Sequence, residues 1–255
     1  MPELSLTSLA LLVVAAFGAG TVDAIAGGGG LVTVPALLAA GLPPQLALAT
    51  NKGQSVFGSG AALLRFARAG LVDGRRARVA FPAGFVGSLG GAALVLLVRP
   101  EVLRPVVLAL LVAVGLFLAF RSGPPRVAAR VPAHLVGAAT GAIALAIGAY
   151  DGFFGPGTGT FLIIAFASIL GDGLQRASAE AKVVNFASNL AAVVLFASRG
   201  VIAWQIALPM AVAQALGGTL GAHLTVRGGD VLVRRVVLLV VLALVLKLAR
   251  DMTVG

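Results

Sequence analysis

The sequence predicts an all-α polytopic membrane protein made of two homologous halves. Each half has about four spanning helices plus a short helical segment set off by a glycine break. Of its 255 residues, 59% are hydrophobic and 11% charged, whereas ordinary soluble domains carry about 25% charged residues. Three windows without formal charge, 79–98, 131–150 and 201–226, are long enough to cross a bilayer, which takes roughly 20 residues. The third observation is an internal echo. An offset of 130 residues superposes Lys52 on Lys182, Ser55 on Asn185, Ser59 on Asn189 and Gly70 on Gly200, and an offset of 127 superposes Gly90-Gly91 on Gly217-Gly218. Internal repeats recur in secondary transporters.

Taken in order, residues 4–25 form the first spanning helix. This segment has Glu3 but no basic residue before it, so it lacks the basic n-region of a signal peptide. Gly27–Gly30 interrupt the helix. Residues 31–40 are too few to cross alone, and Gly41-Leu42-Pro43-Pro44 turns the chain. The next helix, 46–69, carries Asn51, Lys52, Gln54 and Arg65. A basic loop follows with Arg68, Arg75, Arg76 and Arg78 against Asp73, then helices over 79–98 and 103–120. Arg121, Arg126 and Arg130 mark a Gly/Pro-containing linker, which divides the chain into a first repeat 1–121, a linker 122–131 and a second repeat 132–255. The second half repeats the order, with a helix over 132–150, a glycine break, a short segment 160–170, and helices over 177–198, 202–226 and 231–249.

The net charge of +10 raises nucleic acid as a partner, but the arginines sit in short loops between apolar runs. That is the positive-inside pattern and needs no polyanion. It puts the basic loops in the cytoplasm. The more basic loop after Val226, compared with that at Arg199, favours inverted repeats. Cysteine is absent, the two histidines are far apart, and no GxSxG, HExxH or Walker signature occurs. The sequence thus offers no enzyme motif, no metal set and no cofactor site.

Two of the three lysines and all three asparagines lie in two matching stretches, 21–59 and 150–189. Each has an acid (Asp23, Asp151), a glycine break, an apolar segment and a lysine on the following helix. Broken backbone at membrane depth is tolerated only where it is buried in protein or lines a cavity. A helix starting near Thr158 or Thr160, with a threonine as N-cap, would present an anion-attracting N-terminus, and Gly27–Gly30 would do the same. Close helix packing is the plain alternative for the glycines. Lys182, Asn185 and Asn189 share one helix face, as do Lys52, Ser55 and Ser59. Facing each other, the lysines form a two-cation anion site; the alternative is snorkelling to the interface. Asp23 and Asp151 each read as a helix-end group, a lysine partner or a proton carrier. Glu180 points away from the lysine face and reads as interfacial, with proton coupling as its second reading. Arg65 reads as snorkelling, His223 and Gln214 as packed polar groups, Gly87/Gly91 and Gly217/Gly221 as close-crossing pairs, and Tyr150 and Trp204 as interfacial aromatics.

The stretches Asp23-Ala-Ile-Ala-Gly-Gly-Gly-Gly, Ala49-Thr-Asn-Lys52, Tyr150-Asp-Gly-Phe-Phe-Gly-Pro-Gly-Thr-Gly and Ala181-Lys-Val-Val-Asn-Phe-Ala-Ser-Asn189 resemble the TauE/SafE sulfite exporter family, also called the toluene sulfonate uptake permease (TSUP) family. The resemblance runs from about Gly18 to the C-terminus. It implies a bacterial or archaeal inner-membrane permease of two related halves that handles sulfite, sulfonates, sulfoacetate, thiosulfate or related organic anions. By position, Asn51, Lys52, Lys182, Asn185 and Asn189 correspond to the family's polar helix motifs. Glu180 stands where a small or neutral polar residue is expected.

The resulting expectation is a secondary transporter for a small anion, working by alternating access, with H⁺ or Na⁺ as coupling ion and the lipid bilayer as its surroundings. Its binding residues would be Gly28, Gly29, Asn51, Lys52, Ser55, Gly155, Gly157, Thr158, Lys182, Asn185 and Asn189. An anion channel and a non-transporting membrane subunit are the alternatives.

Overall fold

The computed structural model describes residues 4–120 and 131–254; the expected linker, with Arg121, Arg126 and Arg130, lies almost wholly outside the described residues. Their regular structure is all helical, with no strand among the described residues. The helices are α1 (Leu6–Ala26), α2 (Gly30–Ala39), α3 (Pro44–Arg68), α4 (Gly74–Leu97), α5 (Pro100–Phe120), a 3₁₀ turn (Ala133–Leu135) leading into α6 (Val136–Phe153), α7 (Thr158–Ile169), α8 (Leu174–Ser198) and α9 (Trp204–Val254). α9 is two limbs, 204–228 and 230–254, bent at Gly229, where φ is 56° and ψ −156°.

Local chemistry sets the boundaries. Ser5 caps α1 by accepting from the Ser8 N–H, and Pro44 occupies the first turn of α3, where its missing N–H costs nothing. Asp73 caps α4 by accepting from the backbone N–H of Arg75 and Arg76. Those N–H groups, Arg75's foremost, hold the Asp73 carboxyl below its usual value of 3.8. The stability linked to Asp73 is therefore present above pH 4 and lost as the pH falls through its lowered folded value. α8 starts a turn earlier than the sequence predicts because Asp230 accepts from the Gln175 N–H at 2.7 Å.

Among the described residues, five helices are long and apolar enough to cross a membrane: α1, α4, α5, α6 and α8. α2 and α7 are too short, as expected. α3 has 25 residues but carries Asn51, Lys52 and Gln54, all buried. Leu6, Val14, Val86 and Leu97 are exposed, so polarity is turned inward and the apolar surface outward, as lipid demands.

The two parts of the chain interlock. α1 packs along α9 and α6 along α4, while α3 and α8 lie between them and against each other. The close-crossing glycine pairs make this possible. A Cβ at Gly87 or Gly91 would strike the Leu145 or Ala149 carbonyl of α6, and one at Gly217 or Gly221 would strike the Phe17 or Thr21 carbonyl of α1. α8 is the central span, with 61% of its apolar window buried against 17% for α6.

α3 and α8 run antiparallel. Arg176, at the start of α8, pairs with Asp73 beyond the end of α3 at 3.2 Å. Ala203, beyond the end of α8, donates to the Thr50 hydroxyl near the start of α3 at 3.1 Å. Several such contacts recur. Gln45 donates to the Val95 and Val98 carbonyls and Gln175 to those of Thr225 and Val226. The Ala203–Thr50 bond has its counterpart in the Asp73 N–H, which donates to Glu180 at 2.7 Å.

The two ends differ in kind. Around Asp73, the guanidinium of Arg76 donates to both Asp172 oxygens at 2.9 and 2.7 Å and lies over the Phe166 ring. At the other end, Leu37, Leu42, Ile206 and Met210 form an apolar cluster. Arg76→Ala takes from the part-buried Asp172 its close cation, leaving only the exposed Arg176 at 3.9 Å, and is expected to cost about 3 kcal/mol. Arg176, 48% exposed in its side chain, should cost about 0–1 kcal/mol when replaced by alanine. Melting temperatures of the two purified variants check the contrast; equal shifts would contradict it.

Candidate functional site

The two helix breaks are shaped by their own residues and meet in the middle of the molecule. α1 stops at Gly27, whose φ of 80° suits glycine, and the Gly27 N–H returns to the Asp23 carbonyl. The Asp23 side chain then holds the break by accepting from the Gly29 N–H at 3.3 Å. In the second break, Gly155 and Gly157 have φ of 94° and 84°. The Thr158 hydroxyl donates to the Gly155 carbonyl at 2.7 Å and to Asp151 at 3.0 Å.

The breaks dock on each other. The Thr160 N–H donates to the Gly27 carbonyl at 3.2 Å and its hydroxyl to the Ala26 carbonyl at 2.8 Å. This corrects the expected threonine N-cap. Gly157, at φ 84°, holds that position without a side-chain bond because the helix already begins at Thr158. The N–H of Thr160 is committed to the other break.

Each lysine is met by a carboxylate. Lys52 Nζ lies 2.6 Å from Asp151 Oδ1, and Lys182 Nζ lies 2.8 Å from Asp23 Oδ2. Each lysine is therefore paired with the acid of the other stretch. Snorkelling is overturned, since Lys52 is 2% and Lys182 0% exposed. The reason is general: an ammonium withdrawn from water at membrane depth needs a counter-charge and hydrogen bonds. Of the readings open for Asp23 and Asp151, the lysine partner is the one seen.

Around these pairs runs a polar network. Lys52 also donates to Asn189 Oδ1 at 3.1 Å, and the Ser188 hydroxyl makes a short bond to Asp151 Oδ2. Asn51 Oδ1 accepts from the Thr33 hydroxyl at 2.6 Å and from Gln54 at 3.1 Å.

A small cavity opens inside the network, with about 30 Å³ accessible to the centres of water-sized molecules. Its wall includes Asp23, Asn51, Lys52, Ser55, Asp151, Gly155, Thr158, Asn185 and Asn189, so most of the expected residues come together. A side chain at Gly155 would crowd Lys52, since a Cβ there would lie 3.1 Å from its Nζ.

Five expected residues are not in the wall. Lys182 is wholly buried, with its ammonium on Asp23, and the Gly29 N–H is taken by Asp23. The Gly28 carbonyl accepts from the Leu31 N–H, and Gly157 faces Val114. Glu180 is buried but serves the Asp73 N–H at the charged end of the molecule, because its position on α8 turns it away from the lysine face. Arg65 reaches His223 Nδ1 at 3.2 Å.

The wall residue that sequence reasoning missed as a ligand is Gln214. The signal for it was indirect: Gly20 and Gly58, on two other helices, leave the slot that its side chain fills. The Gln214 Oε1 and Asn185 Oδ1 atoms are buried without a protein partner. Among the described residues no group of three or more histidines and acids is placed to hold a metal ion.

The sequence of residues 12–248 matches the model of a family described as "Sulfite exporter TauE/SafE". The chain is 37% identical to "Probable membrane transporter protein ORF9" of Sinorhizobium sp, over 99% of this chain and 97% of the relative. It is 37% identical to "Probable membrane transporter protein" of Haemophilus influenzae, over 98% and 97% of the two chains. It is also 38% identical to "Probable membrane transporter protein YfcA" of Escherichia coli K12, over 95% and 90%. No solved structure matches it.

Proposed function

The chain belongs to the sulfite exporter TauE/SafE family and is a multi-pass membrane transporter, and from that premise we propose that it is a secondary transporter for a small anion. The anion class is sulfite, a sulfonate such as sulfoacetate, or a related organic acid, moved by alternating access of two repeats, 1–121 and 132–255. The observation that carries the proposal is the polar cavity between the two helix breaks, where a lysine from one repeat meets an acid from the other. Lys52 supplies the charge, and the amides of Asn51, Asn185, Asn189 and Gln214 with the hydroxyls of Ser55 and Thr158 supply hydrogen bonds. Lys182 acts from behind the wall, by holding Asp23.

The recurrence of the Gln45 and Gln175 contacts, with α3 and α8 antiparallel, supports inverted repeats. The size of the cavity supports a moving mechanism. On the same measure a single water needs about 10–15 Å³, so a sulfonate enters only when the surrounding helices part. The charged and apolar ends described above then act as the two gates. The basic loop around Arg75 and Arg76 faces the cytoplasm of a bacterial or archaeal cell, by the positive-inside rule.

Purified protein screened by thermal shift against sulfite, sulfoacetate, taurine, thiosulfate and small carboxylates is expected to gain stability with one of them, by mass action. Uptake of that anion into proteoliposomes is expected to saturate and to show counterflow. Flux without saturation would favour a channel, and no flux from pure protein would favour a subunit that needs a partner.

A further inference from the structure

We infer that Asp151 is the proton carrier of this transporter, and that the anion reaches Lys52 only when Asp151 is protonated. This rests on the anion reading above and deepens it by naming the co-substrate and the group that takes it. The wall of the cavity carries one cation, Lys52, against two carboxylates, Asp151 and Asp23, while Lys182 balances Asp23 from outside the wall. With all four groups ionised the site sums to zero, and Lys52 is engaged at 2.6 Å by Asp151 and at 3.1 Å by Asn189. An arriving monoanion would compete with a carboxylate already in place. It would also leave one uncompensated negative charge in a buried space, which low dielectric penalises heavily.

One proton on Asp151 removes both obstacles. The carboxylate becomes a neutral acid, Lys52 stays an ammonium and turns to the anion, and the occupied site again sums to zero. The translocated species is then anion plus proton, with no net charge moved for a monoanion.

The partners of the two acids favour Asp151 as the one that takes the proton. Asp151 is held by the hydroxyls of Thr158 on α7 and Ser188 on α8. A hydroxyl donates to a carboxylate and, after rotating, accepts from a carboxylic acid, so Asp151 keeps these two partners in either state even when Lys52 turns away. Asp23 is held by a backbone N–H and an ammonium, the Gly29 N–H and Lys182, and both can only donate, so neither could accept from a protonated Asp23. The charged groups facing Asp151 are Lys52 from α3 and, across the cavity, Asp23 from α1, with Lys182 of α8 behind it. α4 contributes the hydroxyl of Ser88, which donates to the Ser188 carbonyl at 2.6 Å. On α6 itself the Tyr150 hydroxyl is turned to the Pro156 carbonyl at 2.6 Å.

The test uses full-length protein in liposomes loaded with a pH-sensitive dye. The deciding probe is radiolabelled methanesulfonate, a monoanion whose sulfonate stays ionised near neutral pH, so that any co-moving proton is carried by the protein; sulfoacetate, a dianion, is run beside it as a second probe. Wild type is expected to move protons in the direction of the anion, and an imposed pH gradient is expected to drive accumulation when the anion is equal on both sides. Asp151→Asn is expected to lose at least nine-tenths of the proton flux per anion moved. Because that variant leaves Lys52 without its counter-charge and could misfold, the wild-type gradient experiment decides independently. Anion uptake indifferent to the pH gradient would overturn the proton inference while leaving the anion reading standing. No uptake of these probes or of sulfite, under any gradient, would overturn the anion reading and this inference with it.

Discussion

Replacing Lys52 by methionine is expected to lower saturable anion uptake by about 100-fold, the effect of losing a charge-assisted bond and the attraction behind it. Among the described residues, Lys52 is the only lysine or arginine in the wall of the central cavity. The same change leaves Asp151 buried among hydroxyls with no cation, which costs about 3–5 kcal/mol. Lost uptake alone would therefore not separate a missing ligand from a missing fold. The double variant Lys52→Met/Asp151→Asn separates them. It removes both charges, so melting temperature should recover most of the loss, while uptake should stay near background. The measurements are proteoliposome uptake and thermal unfolding of both variants beside wild type. Wild-type affinity and rate in Lys52→Met would remove Lys52 from the binding site and with it the basis of the anion assignment.

The second large effect concerns the contact between the two breaks. Gly27 has φ of 80°, and a Cβ there would fall on the backbone of Gly159 and Thr160. Gly27→Val therefore meets a forbidden backbone conformation and a rigid neighbour together. It is expected to cost more than about 4 kcal/mol, in the range reserved for specific structural failures, and to leave little monodisperse protein after purification. Gly41 is the matched comparison. Its φ is 89°, but nothing lies within 4 Å of an added Cβ, so Gly41→Ala should cost only the backbone term, about 1–2 kcal/mol. Comparable yields and melting temperatures for the two variants would mean that the docking of the breaks contributes nothing to stability.

Particular residues show how far the sequence could be read. The spans at α1, α4, α5, α6 and α8 follow from hydropathy, because a bilayer core enforces length and apolarity residue by residue. The breaks follow from runs of glycine, whereas α4 begins at Gly74 rather than the expected Val79 because Asp73 caps it. α3 is legible for another reason: a lysine and an asparagine in an otherwise apolar chain must face inward. What the spacing left open was the pairing of charges. Residue spacing places Lys52, Ser55 and Ser59 on one face, but spacing within one helix says nothing of which acid lies across from it. Gln214 was missed as a ligand for the same reason, since its slot is made by glycines on α1 and α3.

By itself, then, the sequence determined the class of molecule, the order of its helices, the two breaks and the inward-facing polar groups, all of which depend on local composition and on the solvent the chain must meet. Only the tertiary structure decided that Lys52 belongs to Asp151 and Lys182 to Asp23, and that Glu180 serves the loop at Asp73 rather than the cavity. Those are contacts between segments 99 to 159 residues apart. They are fixed by how helices cross and how closely glycine lets them approach, and no window of sequence contains both partners.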